Sequence, residues 1–165
     1  MEISMEQLSK ADSSKLFQLA LLEITAWGGN PDEETVEARK LRLANELGKL
    51  DPNEKCILLV RKSEAILGVC RVAQERQNTK AWLIYGLAVH PDHRRIGLAR
   101  LLVQDSIRFA RSHGARNIRS ETHSDNAASI AMHKALGFVD EGVFIAPDGD
   151  EKIAFSIALV NAEGT

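Results

Sequence analysis

Leu87-Ala88-Val89-His90-Pro91-Asp92-His93-Arg94-Arg95-Ile96-Gly97-Leu98-Ala99 decides how this chain is read, because an apolar strand passes through a basic, glycine-containing turn straight into a helix. That order builds a site for an anion. The first N–H groups of a helix have no partner within it, and the positive end of the helix dipole favours a phosphate ester there. Arg94 and Arg95 add fixed positive charge, while Gly97 and Ala99 keep side chains out of the way so that a diphosphate can reach the main chain. Two competing phosphate motifs are excluded. The chain has no G-x-x-x-x-G-K-S/T, and no G-x-G-x-x-G with an acidic residue about 20 positions later.

Before this stretch, residues 56–61 and 65–73 read as strands joined by a tight turn and 81–89 as a third, the short connections making them antiparallel neighbours. After it, Leu98, Ala99, Leu102, Val103, Ser106, Phe109 and Ala110 form the apolar arc of a helix closed by Gly114. Residues 117–122 follow as a strand, and the helical crossover makes it parallel to 81–89. A helix over 126–136 ends at Gly137. Residues 138–145, the turn Pro147-Asp148-Gly149 and the alternating Ile153, Phe155, Ile157 and Leu159 then form a closing hairpin. Near the start, residues 2–8 suggest a short strand. A helix capped by Asp12 or Ser9 carries Leu16, Phe17, Leu19, Leu22 and Ile24 to Trp27. Gly28-Gly29-Asn30-Pro31 breaks it, with Asn30 as the next N-cap, Pro31 as the first helical residue, and Gly48 at that helix's end. Gly86, inside an otherwise strong strand, reads as a bulge or close-approach site, or as a packing glycine beside Trp82 or Tyr85. The fold class is α/β (α+β): a mixed, largely antiparallel central sheet of six to seven strands with helices on both faces.

At 165 residues the chain is expected to form one domain, 1–165. A hydrophobic fraction of 44%, 27% charge and a net charge of −2 are globular values that give no reason to expect nucleic acid as a partner. The local run of arginines includes Arg100, Arg108 and Arg111, which with Gln104 share the polar side of one helix and read as a solvated face. No apolar stretch approaches the roughly 18 residues needed to span a bilayer, and Met1-Glu2-Ile3-Ser4 carries neither a charged nor an apolar leader region, so a cytoplasmic location is expected. Cys56 and Cys70 lie in strand-like runs without C-x-x-C spacing and read as buried free thiols. Five scattered histidines, none in a helical H-x-x-x-H pair, predict no metal.

The run Arg94-x-x-Gly97-x-Ala99 resembles the acetyl-coenzyme A signature Q/R-x-x-G-x-G/A of the GNAT superfamily of N-acetyltransferases. Asn126-Ala127-Ala128-Ser129-Ile130-Ala131-Met132-His133-Lys134-Ala135-Leu136-Gly137-Phe138 resembles that family's later motif N-x-x-A-x-x-x-Y-x-x-x-G-F, with Ser129 where alanine is usual and His133 at the tyrosine position. The resemblance covers residues 56–159. It implies acetyl-CoA as co-substrate and a sheet whose two parallel strands splay around the pantetheine arm. It also implies a set of coenzyme contacts: the backbone of Leu87, Ala88 and Val89 along the pantetheine, Arg94, Arg95, Ile96, Gly97, Leu98 and Ala99 at the pyrophosphate, and Asn126, Ser129 and His133 beside the arm. The reaction implied is direct acetyl transfer to an amine. An alkyl ammonium, with a pKa of about 10.4, must first lose its proton, and the departing thiolate must be protonated or stabilised. No cysteine lies in the motifs, which argues against an acyl-enzyme. By the same resemblance the Val89 N–H would stabilise the oxyanion, and His133 is a candidate general acid, its alternative being a packing role. Glu121 faces either solvent or the splay; in the splay it would bind a cationic acceptor or pass its proton through water. Tyr85 either points into the same space or belongs to the core.

Part of the chain also resembles the aminoglycoside 6′-N-acetyltransferases: Trp27-Gly28-Gly29-Asn30-Pro31-Asp32 at the first helical break, and Ser120-Glu121-Thr122-His123-Ser124-Asp125-Asn126 before the His133 helix. Tyr85 departs from that pattern, which has an acidic strand residue there. Carboxylates at Asp32, Glu33, Glu34, Glu121 and Asp125 favour a small cationic amine as acceptor. An aminoglycoside, a peptide N-terminus and a noncatalytic acyl-CoA sensor remain alternatives, and a monomer or a homodimer is left open. Acceptor walls would come from loops near Trp27 and residues 74–80, which follow no general code.

Overall fold

The computed structural model describes residues 2–159. Assignment of Met1 and of residues 160–165 to the same domain lies outside the described residues. In chain order the elements are β1 (Ile3–Gln7), α1 (Ser13–Ala26), α2 (Glu33–Gly48), β2 (Lys55–Lys62), β3 (Ala65–Gln74), β4 (Ala81–Val89), a 3-10 turn (Pro91–His93), α3 (Leu98–Ser112), β5 (Asn117–His123), α4 (Ala127–Ala135), β6 (Val139–Ile145) and β7 (Glu151–Ala158). The strands form one seven-stranded sheet in the order β1-β2-β3-β4-β5-β7-β6. β1 pairs antiparallel with β2, and β7 lies antiparallel to both β5 and β6. The expected parallel pair is present. β4 and β5 pair only through Ala81, Trp82 and Leu83 opposite Asn117, Ile118 and Arg119, and that ladder ends there although both strands continue.

Local chemistry accounts for the helix starts. Asp12 caps α1 by accepting from the Lys15 N–H at 2.8 Å. The second helix begins later than the Asn30-Pro31 pair suggests: Asp32 is the N-cap, accepting from the Thr35 N–H at 2.8 Å, and Glu33 is the first helical residue. Both acidic residues of the first turn, Glu33 and Glu34, then sit against the positive helix end. Gly48 marks the end of this helix, as expected: it is the last helical residue, and Lys49 is the C-cap. Asn126 caps α4 through the Ser129 N–H at 3.0 Å, and Gly137 leaves that helix at φ 95°.

The described chain divides into two compact units, the first comprising residues 2–71 and 86–106 and the second residues 72–85 and 107–159. In the first, α1 and α2 bury Leu19, Leu22, Val36 and Leu43 with Ile57, Leu59 and Val69 of the strands. On the opposite face, Gly68 leaves room for Leu102 of α3, since a Cβ there would lie 3.0 Å from the leucine methyl and 2.9 Å from Val60. Helices therefore cover both faces, as expected. In the second unit Trp82 is fully buried, its ring edge-on to Phe109 at 5.9 Å, while Phe109 stacks on His113 at 4.1 Å. Among the described residues, no helix is long and apolar enough to cross a membrane.

Candidate functional site

The segment after β4 is shaped for an anion by its backbone. Arg94 is extended, Arg95 is left-handed at φ 64°, and Gly97 is left-handed at φ 87° immediately before α3. Alternating hands turn successive N–H groups toward one side, the arrangement that makes an anion-binding concavity, and α3 adds the free N–H groups of its first turn. A Cβ on Gly97 would meet nothing within 4 Å, so glycine is required there by its dihedral angle and the space before the helix is open. Arg95 and Ile96 are exposed, whereas Leu98 is buried and anchors the start of the helix. Arg94 reaches back along the chain: its Nη2 donates to the Ala26 carbonyl at 3.0 Å and its Nε to the Val89 carbonyl at 3.4 Å. Ala88 is a core residue, while Leu87 and Val89 on either side of it are half-buried. The Leu87 carbonyl accepts from the Trp27 indole N–H at 3.2 Å.

Behind this strand lies a buried charge cluster. Arg71 of β3 donates through Nε and Nη2 to the two oxygens of Glu46, at 2.8 and 3.0 Å, and through Nη1 to Glu23 at 2.7 Å. Glu23 has no exposed surface, and its other oxygen accepts from Arg39 at 3.1 Å. Lys55 completes the group at 2.6 Å from Glu46. Burial alone would raise the Glu46 carboxyl, but hydrogen bonds and charge from Arg71 and Lys55 outweigh it and hold its pKa below the ordinary 4.5. A lowered folded pKa means that the stability Glu46 contributes is complete above pH 4.5 and is lost as pH falls through the folded value. Thermal melts between pH 7 and 3 are expected to show a destabilisation below about pH 4.5 that Glu46→Gln reduces. An acid slope identical in wild type and variant would move that lability to other groups.

In the second unit, His133 of α4 is 2% exposed, stacked on Phe155 at 4.7 Å and edge-on to Phe138 at 5.1 Å. Its Nδ1 lies 2.8 Å from the Ser129 carbonyl, which can only accept, so Nδ1 carries the proton. Nε2, 2.8 Å from the Ser120 Oγ, is then the acceptor of a neutral ring whose hydroxyl partner donates. Burial lowers its pKa below 6.5, only partly opposed by the Ser129 carbonyl. Ser129 is half-buried and Asn126 exposed, one oxygen of Asn126 being used by the helix cap.

β5 alternates cleanly: Ile118, Ser120 and Thr122 are buried and Arg119, Glu121 and His123 are exposed. Glu121 thus stands on the face opposite Ser120 and His133. The parallel register sets Leu83 beside Arg119, so the next residues on that face are Tyr85, 37% exposed, and Glu121. Polarity along the strand leaves the face of Glu121 undecided; in the structure it shares the sheet face of Tyr85, beyond the point where the two strands stop pairing, and stands on the face opposite His133. Cys56 and Cys70 are buried thiols outside any disulfide, as expected, and burial pushes them up to about 12 and about 11, so neither supplies a thiolate at neutral pH.

Gly86 resolves both readings made of it. It turns left-handed at φ 64° within β4, and a Cβ on it would lie 2.7 Å from the Arg71 Nη1, so its packing partner is Arg71 rather than Trp82 or Tyr85. Arg71 and Glu23 carried a signal that sequence reasoning passed over. Each is a charge in the middle of an apolar element, and a charge there must find its opposite.

The acetyltransferase (GNAT) family description matches residues 16–138. The chain is 40% identical over 62 residues to an aminoglycoside N(6')-acetyltransferase type 1 of Acinetobacter genomosp. 13, covering 38% of this chain and 42% of that protein. It is 36% identical over 55 residues to the [ribosomal protein bS18]-alanine N-acetyltransferase of Escherichia coli K12, covering 33% of this chain and 37% of that one. These matches span well under half of either relative's length. Among solved structures, an N-acetyltransferase from Staphylococcus aureus Mu50 superposes with a TM-score of 0.76 at 16% identity, over 96% of this chain and 99% of that one. An acetyltransferase from Salmonella typhimurium, solved with its cofactor acetyl-CoA, gives 0.73 at 18% identity over 96% and 95%. With its fold shared across those structures and three quarters of its length inside the matched region, the chain belongs to the acetyltransferase (GNAT) family.

Proposed function

We propose that the chain is one cytoplasmic, acetyl-CoA-dependent N-acetyltransferase domain that acetylates a primary amine of a small cationic acceptor. The observation that carries this reading is the left-handed pair Arg95 and Gly97 feeding the start of α3, in a chain of this family. Arg94, Arg95 and the N–H groups of residues 96–99 would bind the coenzyme pyrophosphate, the backbone of Leu87, Ala88 and Val89 the pantetheine, and Asn126 and Ser129 its amides. The amine nitrogen attacks the thioester carbonyl carbon, the oxyanion accepts from the Val89 N–H, and the carbon–sulfur bond breaks. Proton traffic is assigned to the exposed pair. Glu121 takes the ammonium proton through water, Tyr85 protonates the departing thiolate, and the second proton, shed by the nitrogen as the tetrahedral intermediate collapses, restores the Tyr85 hydroxyl. The buried, neutral and doubly hydrogen-bonded imidazole supports a positioning role for His133, holding α4 on β5. Buried thiols with raised pKa values support direct transfer without an acyl-enzyme.

An amine panel followed by thiol release tests the reading. Polyamines and aminoglycosides represent cationic acceptors, and peptides with a free N-terminal alanine represent the second reading, which the likeness to the bS18-alanine enzyme favours. Glu121→Gln is expected to raise KM for a cationic acceptor by roughly tenfold while leaving KM for acetyl-CoA unchanged, an effect that shrinks at high salt if attraction is long-range. Acetylation of peptide N-termini alone, with Glu121→Gln silent, would replace the small-amine acceptor with a protein one. Coenzyme binding without turnover of any amine would leave the sensor module.

A further inference from the structure

The turn at Gly86 interrupts β4 one residue before the backbone assigned to the coenzyme, and the side chain that fills the room left by the absent Cβ is a guanidinium. Arg71 is 4% exposed and held from three sides: α1 through Glu23 at 2.7 Å, α2 through the forked pair with Glu46 at 2.8 and 3.0 Å, and β4 through its Nη1, which donates to the Gly86 carbonyl at 3.4 Å. The neighbouring carbonyl is fixed from the same source. Glu23 binds Arg39, the Arg39 guanidinium lies 4.9 Å over the Trp27 ring, and the Trp27 N–H donates to the Leu87 carbonyl at 3.2 Å. Two consecutive β4 carbonyls are therefore held by side chains that both lead back to one buried carboxylate.

Stability alone does not explain such an arrangement, because a buried ion pair is seldom worth more than apolar side chains of the same volume. A left-handed residue inside a strand, in contrast, persists only where its surroundings dictate it. We infer that Arg71 is a positioning residue: its clamp between Glu23, Glu46 and the Gly86 carbonyl holds the β4 turn, and through it the Leu87–Val89 backbone, in the orientation that binds the coenzyme. The inference rests on the coenzyme reading proposed above. It also explains why β3 carries an arginine amid Val69, Cys70 and Val72.

The test replaces the pair by apolar residues of similar size, Glu23→Leu with Arg71→Met, a change that buried ion pairs tolerate without loss of folding. The double variant, in which Glu46 keeps Lys55 and Arg39 is partly exposed, is expected to stay folded with a lowered melting point, to exchange the amides of residues 86–89 faster in the absence of any coenzyme, and to bind coenzyme A at least tenfold more weakly by calorimetry. KM for acetyl-CoA should rise with kcat within about threefold, the pattern of lost ground-state positioning. Gly86→Ala, which leaves every charge in place, strains the left-handed residue and intrudes on the Arg71 side chain at Nη1 (2.7 Å) and Cδ (3.1 Å), should act in the same direction and serves if the double variant does not fold. A folded variant with wild-type exchange at residues 86–89 and wild-type coenzyme affinity overturns the inference. Wild-type protein that binds no coenzyme A overturns the coenzyme reading separately, and the exchange measurement, made without coenzyme, still decides whether Arg71 holds the turn.

Discussion

Gly97→Glu is expected to reduce coenzyme A binding by more than a hundredfold while leaving a folded protein. Three effects act together at this position. The residue is left-handed at φ 87°, a conformation that costs a residue with a Cβ about 1–2 kcal/mol. A glutamate side chain would occupy the open space in front of the helix, where nothing lies within 4 Å of the Cβ position. Its carboxylate would also take for itself the N–H groups and the positive helix end meant for the pyrophosphate. Gly97→Ala separates these contributions, since it carries the backbone strain without the charge or the bulk, and its affinity should fall by only about tenfold or less. The measurement is calorimetry with coenzyme A at fixed salt, alongside thermal melts. Unchanged affinity in the glutamate variant would remove the pyrophosphate from this loop, and equal losses in the two variants would mean that strain rather than anion recognition is what the glycine serves.

How far the chain could be read in advance followed from the range of the interactions involved. β4 is legible at its observed ends because a run of apolar residues between Lys80 and the His90-Pro91 pair is a local signal, and the parallel course of β5 follows from the length of the helical crossover. The start of α2 lies two residues beyond the one that the sequence suggests. Asn30 and Asp32 are both good caps, and only the geometry shows that the Asp32 oxygen, not that of Asn30, meets an amide of the first turn. The side on which Glu121 stands was hidden because its neighbours Ser120 and Thr122 are polar yet buried, so alternation by polarity gave no phase to the strand. Ser120 is buried because His133, thirteen residues away, takes up its hydroxyl. Arg71 and Glu23 are 48 residues apart, and what each does depends on the other. Charges in apolar segments announce that a partner exists, but which partner, and which strand turn it fixes, is settled only by the tertiary fold.

The second large effect is expected at His133, where phenylalanine should lower stability by several kcal/mol and leave the chemical step nearly intact. The ring sits between Phe155 and Phe138, so an aromatic of similar size fits the space. What is lost is polar: the Ser120 hydroxyl and the Ser129 carbonyl are left without the bonds that the ring supplied at 2.8 Å each, and a buried group stripped of its partner costs about 1–3 kcal/mol. Asparagine, which can still donate toward the Ser129 carbonyl, should recover part of that loss. The pH dependence separates this role from acid catalysis. Because burial lowers the folded pKa, the unfolded chain takes up a proton first as pH falls below 6.5. Stability held by the neutral ring is therefore complete above pH 6.5 and declines as pH falls toward and through the folded value, a slope that His133→Phe should not show. For catalysis, kcat of the phenylalanine variant should stay within about tenfold of wild type with an unaltered pH profile, whereas loss of a general acid typically costs on the order of 10²–10⁴. A fall of that size in a variant that melts normally, with one limb of the pH–rate profile gone, would make the imidazole the proton donor to the thiolate and return Tyr85 to the wall of the site.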